Sequence, residues 1–306
     1  MAKPAVHPVT LSAVSLARTA SRLSRLLLLA LLAPWAARAG EWKPLFNGHD
    51  LAGWQTYLGK PHAASEVPGL ARDDKGAYTE AIGLDRDPLG NFAVVTLEGR
   101  PALRVSGEGF GYLATREEFG NYHLRLQFKW GEKKWPPREK AVRDSGLLYH
   151  VHGAPAQSSA VWPACVELQI QEGDCGDLYA IVTRASVPAV AVESEGRLLY
   201  QYTPDSVSIE FKQERPVGNR CVRRENAEHP AGEWNTIELI CVGSESIHVV
   251  NGRVVMRLGD LRQKGAKGDW LPLAAGRVAL QTEGAEVFFR DVEIRLIDAV
   301  PAEYLE

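Results

Sequence analysis

The chain has 306 residues, of which 45% are hydrophobic, 24% charged and 8% aromatic, a balance typical of an ordinary globular protein. Its formal charge is -3, but residues 1–39 contribute five basic side chains and no acidic one, which leaves 30 basic against 38 acidic side chains in the remainder. Because binding to a phosphate backbone needs a basic surface, this charge excludes nucleic acid as an expected partner.

Residues 1–39 have the organisation of a secretory signal peptide. Two arginines precede the apolar run 26–33, and Ala37 and Ala39 supply small residues at the positions that decide cleavage. The run is far shorter than the roughly 20 apolar residues that span a bilayer, which argues against a membrane anchor. We therefore expect cleavage after Ala39 and a periplasmic or secreted mature protein of one domain, residues 40–306.

Beyond residue 39, the chain has the pattern of strands rather than helices. Residues 122–130 alternate apolar and polar side chains, as in a strand with one buried face. Residues 247–256 predict a hairpin with Asn251 and Gly252 at its turn, where a positive φ is tolerated. Residues 277–282 predict a further strand. The pattern indicates an all-β protein, a single β-sandwich.

The last predicted strand, residues 287–297, contains an arginine among apolar positions. Alternation places Phe288, Val292 and Ile294 on one face, and Arg290 falls on the same face. A buried arginine is costly without a partner, so Arg290 is expected either to pair with an acid or to lie in the functional site.

Three segments are predicted to be long loops because they lack regular alternation. They are residues 56–88, 131–143 and 185–224. Four cysteines occur along the chain: Cys165, Cys175, Cys221 and Cys241. Export permits disulfides, but the spacings match no zinc or redox pattern, so buried free thiols and a bridge both remain open.

The segment with the most polar chemistry is residues 162–177. In a strand, Glu167, Gln169 and Gln171 point the same way, and a carboxylate flanked by two amides can bind sugar hydroxyls. Glu172 would point to the opposite face unless a bulge at Gln171 turns it. With that bulge, Glu167 and Glu172 form a carboxylate pair of the kind that cleaves glycosides. A solvated polar face that ends in an acidic turn is the competing interpretation.

Two histidines and three aspartates are candidate metal ligands or sugar ligands. His150 and His152 are expected on one strand face, where both could reach one ion together with Asp144, Asp174 or Asp177. Such pairs more often bind sugar or are merely exposed. A calcium loop at 174–177 is the alternative to a plain acidic turn, and we expect no resident cofactor.

Other side chains are candidates for contacts with a sugar. Trp54 and Trp162 could stack on a sugar ring, although Trp54 fits equally well as a core residue near the first strand. Lys129 and Arg290 could bind substrate hydroxyls or a developing negative charge.

Together these motifs resemble the 3-keto-disaccharide hydrolase domain family, in order and over essentially the whole chain after residue 39. The matching blocks are residues 42–54 (WKPLFNGHDLAGW), 144–150 (DSGLLYH), 167–177 (ELQIQEGDCGD), 232–236 (GEWNT), 248–252 (HVVNG) and 284–292 (GAEVFFRDV). In two blocks the chain departs from the usual pattern. Many members have Asn-Ser-Gly followed by an arginine where this chain has Asp144 and His150, and the strand here ends in Gln171 and Glu172.

The resemblance implies a concanavalin-like β-sandwich, or jelly roll, whose concave sheet binds carbohydrate. It also implies hydrolysis of glycosides that are already oxidised at C3 of the sugar. On that chemistry we expect Glu167 to act as the base and Glu172 or His150 as the proton donor, and the two glutamates could exchange roles. Gln169, Lys129 or Arg290 would then hold the oxyanion or the hydroxyls.

Two rival functions fit the same fold. A non-catalytic carbohydrate-binding module is one, since a fold does not fix a function. A conventional retaining glycosidase is the other, because Glu167 and Glu172 have the spacing of the catalytic strand of sandwich-fold glucanases. Gln169 stands where those enzymes use an aspartate, which argues against the second rival.

Overall fold

The computed structural model describes residues 1–2, 40–194 and 196–305. The expected signal peptide lies outside the described residues, apart from residues 1–2, so its cleavage stays a prediction. From residue 40 onward the described chain belongs to one compact unit. Among the described residues, no helix has the length and apolar character needed to cross a membrane.

In the described residues, twenty strands, numbered along the chain, form two antiparallel sheets. The first sheet contains β1 (Lys43–Pro44), β4 (Phe92–Leu97), β5 (Arg100–Val105), β7 (Tyr122–Lys134), β11 (Arg184–Ser194), β12 (Arg197–Tyr202), β13 (Ser208–Phe211), β15 (Asn235–Val242), β16 (Glu245–Val250), β17 (Arg253–Lys264), β18 (Trp270–Pro272) and β20 (Ala285–Leu296). The second sheet contains β2 (Trp54–Leu58), β3 (Gly83–Leu84), β6 (Gly111–Thr115), β8 (Asp144–His152), β9 (Ala164–Gln171), β10 (Leu178–Ile181), β14 (Arg220–Cys221) and β19 (Arg277–Thr282). One short 3-10 helix follows at Ala302–Tyr304.

The main hydrophobic core lies between the two sheets, which makes the protein a β-sandwich of the concanavalin-like class, as the sequence predicted. In β7 the even-numbered apolar side chains, such as Leu124, Leu126 and Phe128, are buried in this core. Leu168 and Leu280 of the second sheet belong to the same cluster. Alternating burial on two facing sheets is what joins them into one domain.

Two local predictions about strands have opposite outcomes. The hairpin is confirmed: β16 and β17 pair, and Asn251 and Gly252 connect them with φ of 48° and 75°. The predicted face of β20 is wrong in its first half, where Phe289 is buried and Phe288 is not. A register shift between Arg290 and Glu293 reverses the alternation. Such a bulge inserts one residue and moves every earlier side chain to the other face.

The predicted loop 185–224 is also partly wrong, since it contains most of β11 together with β12, β13 and β14. Three of these strands lengthen the first sheet at one edge, where Val187 and Phe211 are fully buried. In β11 the buried Ala185, Val187 and Ala189 do alternate, but two of them are alanines, and Pro188 between them argues against a strand. All four cysteines are buried free thiols.

Candidate functional site

The second sheet carries a polar site on the face that points away from the main core. We call this the outer face. Tyr57, Tyr112, Leu148 and Cys165 form a second, smaller hydrophobic cluster there, and the partly buried Trp162 packs against it. Because side chains alternate along a strand, Glu167 lies on the same face as Cys165.

The register of the central strands brings Glu167 next to small residues. In β8 and β9, Glu167 pairs with Leu148 and Gln169 with Gly146. Leu148 in turn pairs with Ala279 of β19. The small residues Gly146 and Ala279 leave space above the sheet, and the carboxyl group of Glu167 extends over Gly146, where an added Cβ would collide with its Oε1 atom.

Glu167 is almost completely buried, with 4% of its surface exposed. The amide group of Gln169, in the orientation that satisfies its neighbours, donates to Glu167 Oε1 and to the Ser145 carbonyl, each at 2.9 Å. Burial raises the pKa of Glu167 well above its usual range, and the nearby carboxyls of Asp144 and Glu283 raise it further. Burial therefore favours the protonated form of Glu167, whose Oε1 accepts a hydrogen bond from the Gln169 amide.

Asp144 and Glu283 complete a cluster of three carboxyls, and these two share one arginine. Arg138 donates from Nη2 to Asp144 Oδ2 at 2.6 Å, and its Nη1 lies 3.4 Å from Glu283 Oε1. Burial raises the pKa of Asp144 to about 6, against the lowering effect of Arg138. Burial and Asp144 together raise the pKa of Glu283 to about 8. We call Asp144, Glu167 and Glu283 the carboxyl cluster.

Gln281 adds an unpaired oxygen beside the cluster. Its side chain is 3% exposed, and within the described chain its Oε1 has no hydrogen-bond partner. The same oxygen faces the space above Gly146 that Glu167 Oε1 occupies. Buried acceptors are normally satisfied, so this oxygen is suited to receive a hydrogen bond from a bound hydroxyl.

Sequence reasoning missed three of these residues. Gln281 lies near the end of the predicted strand 277–282, and Glu283 directly follows it. Both have odd numbers, so alternation along the strand would place them on one face, and this was the available signal. Arg138 lies in a predicted loop, where no pattern marked it. Only the pairing of β19 with β8 brings Gln281 and Glu283 towards Glu167, and Arg138 joins the cluster through Asp144 and Glu283.

Glu172 is not brought to Glu167. β9 ends at Gln171 with no register shift at that end, so the expected bulge is absent from it. Glu172 instead begins the following turn, where its two carboxylate oxygens lie 3.1 and 3.0 Å from Arg143 Nη1. The predicted pair of Glu167 and Glu172 is therefore replaced by the carboxyl cluster, because the strand ends before its alternation can be reversed.

His150 and His152 do not share a face, because β8 contains a register shift between Tyr149 and His152, and His150 has a φ of 51°. His150 is fully buried against Tyr122 and Tyr149, and both its ring nitrogens lack hydrogen-bond partners among the described residues. Burial lowers the pKa of His150 to about 4. His152 is half-buried and donates from Nδ1 to the His150 carbonyl at 2.8 Å. The expected histidine pair is thus split by the bulge.

The acidic turn after β9 is held by arginines. Asp177 is fully buried and accepts from Arg220 at 2.7 Å and from Arg223 at 2.9 Å. Asp174 accepts from the Gln171 amide at 2.7 Å and pairs with the same two arginines. In the described part of the chain, no group of three or more His, Cys, Asp or Glu residues is arranged to hold a metal ion.

The remaining candidates are divided between the core, the outer face and the other sheet. Trp54 is buried in the main core and donates to the Leu45 carbonyl at 2.8 Å, whereas Trp162 lies on the outer face. Lys129 and Arg290 belong to the first sheet, where Lys129 pairs with Glu98 at 2.5 Å. Arg290 stacks on Trp234 at 3.7 Å and donates to Gln127. The structure therefore does not bring Lys129 or Arg290 to Glu167, since they lie on a different sheet.

A β-sandwich whose outer sheet face carries a carboxyl cluster, amides and aromatic side chains defines a carbohydrate-active protein of the glycosyl hydrolase-like class. Residues 41–295 match the family described as the 3-keto-alpha-glucoside-1,2-lyase-like domain, and the chain belongs to this family. The resemblance predicted from the sequence motifs is confirmed. No curated protein matches the chain in sequence.

Several solved structures are similar to the chain at low sequence identity. A candidate glycosyl hydrolase from Parabacteroides distasonis is 19% identical with a TM-score of 0.41, and the match covers 84% of this chain and 94% of that one. Domain 4 of an extracellular arabinanase from Geobacillus stearothermophilus, solved with arabinotriose, is 10% identical with a TM-score of 0.37 and coverages of 87% and 96%. A carbohydrate-binding module from Bacillus subtilis is 9% identical with a TM-score of 0.36 and coverages of 67% and 92%.

Proposed function

We propose that the protein is an exported enzyme that cleaves 3-keto-glycosides, with 3-keto-disaccharides as the substrate class. The observation that carries this proposal is the carboxyl cluster, in which Asp144 has a pKa of about 6, Glu283 has a pKa of about 8, and burial raises the pKa of Glu167. Pairs of titratable groups with separated pKa values are the usual basis of acid–base assignments. Membership of the family supports the sugar class.

The chemistry needs one proton acceptor and one proton donor. A ketone at C3 acidifies the proton at C2, so a base can remove it while the C1–O bond breaks. The electron pair of the C2–H bond forms the C1–C2 double bond, and the departing oxygen takes a proton from the acid. Water then adds its hydroxyl to C1 of the enone and a proton to C2, which gives the free keto sugar.

In our proposal Asp144 is the base and Glu167 the proton donor. Asp144 is paired with Arg138, which opposes the effect of burial, and its pKa of about 6 leaves it largely ionised at neutral pH. Burial favours the protonated form of Glu167, which can give its proton to the leaving oxygen. From the sequence alone Glu167 was expected to act as the base, whereas in this assignment it is the proton donor.

Neighbouring groups supply binding and stabilise charge. Arg138 is the cation nearest to the developing negative charge, and a preorganised cation in a water-poor site is worth several kcal/mol to such a transition state. Gln281 accepts a hydrogen bond from a sugar hydroxyl, and Gln169 keeps the Glu167 carboxyl in place. Trp162 and Tyr179 on the outer face offer apolar surface to the sugar ring.

The test incubates residues 40–306 with 3-keto-trehalose, 3-keto-glucosides and their unoxidised parents, and follows products by NMR. We expect cleavage of the oxidised sugars alone, with incorporation of solvent deuterium at C2. Cleavage of the parents would instead support a conventional glycosidase, and binding without turnover would support a carbohydrate-binding module. Repeating the incubation with a chelator tests the expectation that no metal is required.

A further inference from the structure

A separate cavity of about 270 Å³ lies on the same outer face as the carboxyl cluster. It is lined by residues of β2, β6, β8 and β19, among them Ala114 and Arg277. Across the sheet, Glu167 pairs with Leu148 and Leu148 with Ala279, so β19 is two strands away from Glu167. Two interstrand spacings are roughly 10 Å, which is the reach of a sugar ring attached to one held at Glu167.

The lining of this cavity suits both the apolar C–H groups and the hydroxyls of a sugar. Leu84, Val151, Pro155 and Pro163 provide apolar walls. Such surfaces pack against the C–H groups of a ring, while a few convergent polar groups fix its orientation. A purely apolar ligand would leave those polar groups unpaired.

The polar groups of the cavity are donors and acceptors with unused capacity. Arg277 donates from Nη1 to Gln55 Oε1 at 3.3 Å, which is the only hydrogen bond of its side chain to a described residue. His152 donates from Nδ1 to the His150 carbonyl and lines the cavity, and in the neutral ring Nε2 is an acceptor. A hydroxyl can both donate and accept, so adjacent hydroxyls of one ring complement this pair of side chains.

Charge favours a neutral ligand over an acidic one. The guanidinium of Arg277 has the Glu118 carboxylate 3.9 Å from its Nε, and both side chains line the cavity. The opposite charges largely cancel at this distance, so the cavity offers directional hydrogen bonds rather than a positive field. A uronic acid or a phosphorylated sugar would meet the Glu118 carboxylate.

We infer that this cavity, with Arg277 as its specificity-determining residue, binds the neutral hexose that leaves when a 3-keto-disaccharide is cleaved. The inference rests on the proposed function for the identity of the leaving group. With this cavity, the enzyme selects its substrate at both rings. The keto ring lies at the carboxyl cluster, and the second ring lies between β2 and β19.

The test uses two variants of the cavity and one matched control. Ala114→Ile extends a side chain from the cavity floor within β6, and Arg277→Gln removes the guanidinium. Arg253→Gln removes an arginine whose side chain is 66% exposed, on β17 of the other sheet. Circular dichroism and thermal unfolding establish which variants are folded. If Arg277→Gln does not fold, Ala114→Ile still tests the inference.

Two measurements are made on each protein. The first is NMR saturation transfer from the protein to free glucose. The second is kcat/KM for a 3-keto-disaccharide and for the corresponding methyl 3-keto-glucoside, which lacks the second ring. We expect both cavity variants to lose glucose binding. Their kcat/KM should fall at least about tenfold more on the disaccharide than on the methyl glycoside. A loss of this size corresponds to the loss of a charge-assisted hydrogen bond. The control variant should match wild type.

Equal losses on both substrates, or glucose binding that is absent from wild type or retained in both variants, would overturn the inference and leave the proposed function standing. If wild type cleaves no oxidised sugar, the proposed function fails on its own. In that case glucose binding that is lost in the cavity variants still supports a hexose site, and binding that persists in them overturns it.

Discussion

Gly146 and Glu167 lie on neighbouring strands so that the Glu167 carboxyl rests over the one position of β8 that has no side chain. The glycine is needed for space and not for its backbone conformation, since its φ is not in the left-handed region. An alanine at 146 would displace the Oε1 atom of Glu167, which also receives the hydrogen bond from Gln169. The position of the proposed proton donor therefore depends on a missing side chain.

Gly146→Ala should reduce kcat on a 3-keto-disaccharide by about a hundredfold, because a displacement of about 1 Å of a catalytic group has an effect of that size. The fold should be retained, since the colliding group is the end of a flexible side chain. The matched control is Gly259→Ala in β17, where an added Cβ meets nothing within 4 Å. Wild-type kcat in folded Gly146→Ala would contradict the placement of Glu167 in the reaction.

Glu167→Gln tests the proton donor directly. The amide is nearly isosteric with the carboxylic acid but cannot release a proton, so kcat should fall by about 10²–10⁴-fold. Glu172→Gln is the control, because it alters a partly exposed ion pair with Arg143. Such pairs contribute about 0–1 kcal/mol, and turnover should remain near wild type. If Glu172→Gln loses the activity and Glu167→Gln keeps it, the original assignment of Glu172 regains support.

The sequence located the strand that carries Glu167 and Gln169, since period-two alternation survives in any sheet context. It could not identify the partners of Glu167. The motifs mark Asp144 only as a metal or sugar ligand and do not mark Glu283, because a contact between distant segments depends on strand order and register. Bulges account for the errors at His150 and Phe288, since a single inserted residue leaves no trace in the composition of a strand.

The carboxyl cluster should make the protein less stable as the pH rises. Burial and Asp144 raise the pKa of Glu283 from 4.5 to about 8, so the folded protein binds its proton more tightly than the unfolded chain does. The stabilisation that the Glu283 carboxyl contributes is fully present below pH 4.5 and is lost as the pH rises towards about 8. Glu283→Gln removes the titration, so its stability should exceed that of wild type at pH 8.5 by a few kcal/mol.

Urea unfolding of wild type and Glu283→Gln between pH 5 and 9 measures this difference. Parallel stability curves for the two proteins would show that Glu283 does not retain its proton in the folded state. Glu286→Gln is the comparison, because Glu286 pairs with Arg104 on the first sheet at 2.7 Å. Glu286→Gln should not change the pH dependence of the free energy of unfolding in the way that Glu283→Gln does.

The buried His150 leads to the opposite dependence on pH. Burial lowers its pKa from 6.5 to about 4, so the unfolded chain binds the proton more tightly and stability falls as the pH decreases through this window. His150→Phe removes both the titration and two buried ring nitrogens that lack described partners. We expect stability at pH 7 to be unchanged or about 1 kcal/mol higher, and its loss between pH 6.5 and 5 to be smaller than in wild type.

His150→Phe also separates the two proposed proton donors. Its ring lies against Tyr122 and Tyr149, on the core side of β8, whereas Glu167 lies on the outer face. Turnover of a 3-keto-disaccharide should therefore stay within severalfold of wild type. The exposed His49→Phe provides the control for the loss of a histidine without burial. A folded His150→Phe protein with no turnover would return the proton-donor role to His150, because aromatic bulk at 150 is kept and only the ring nitrogens are lost.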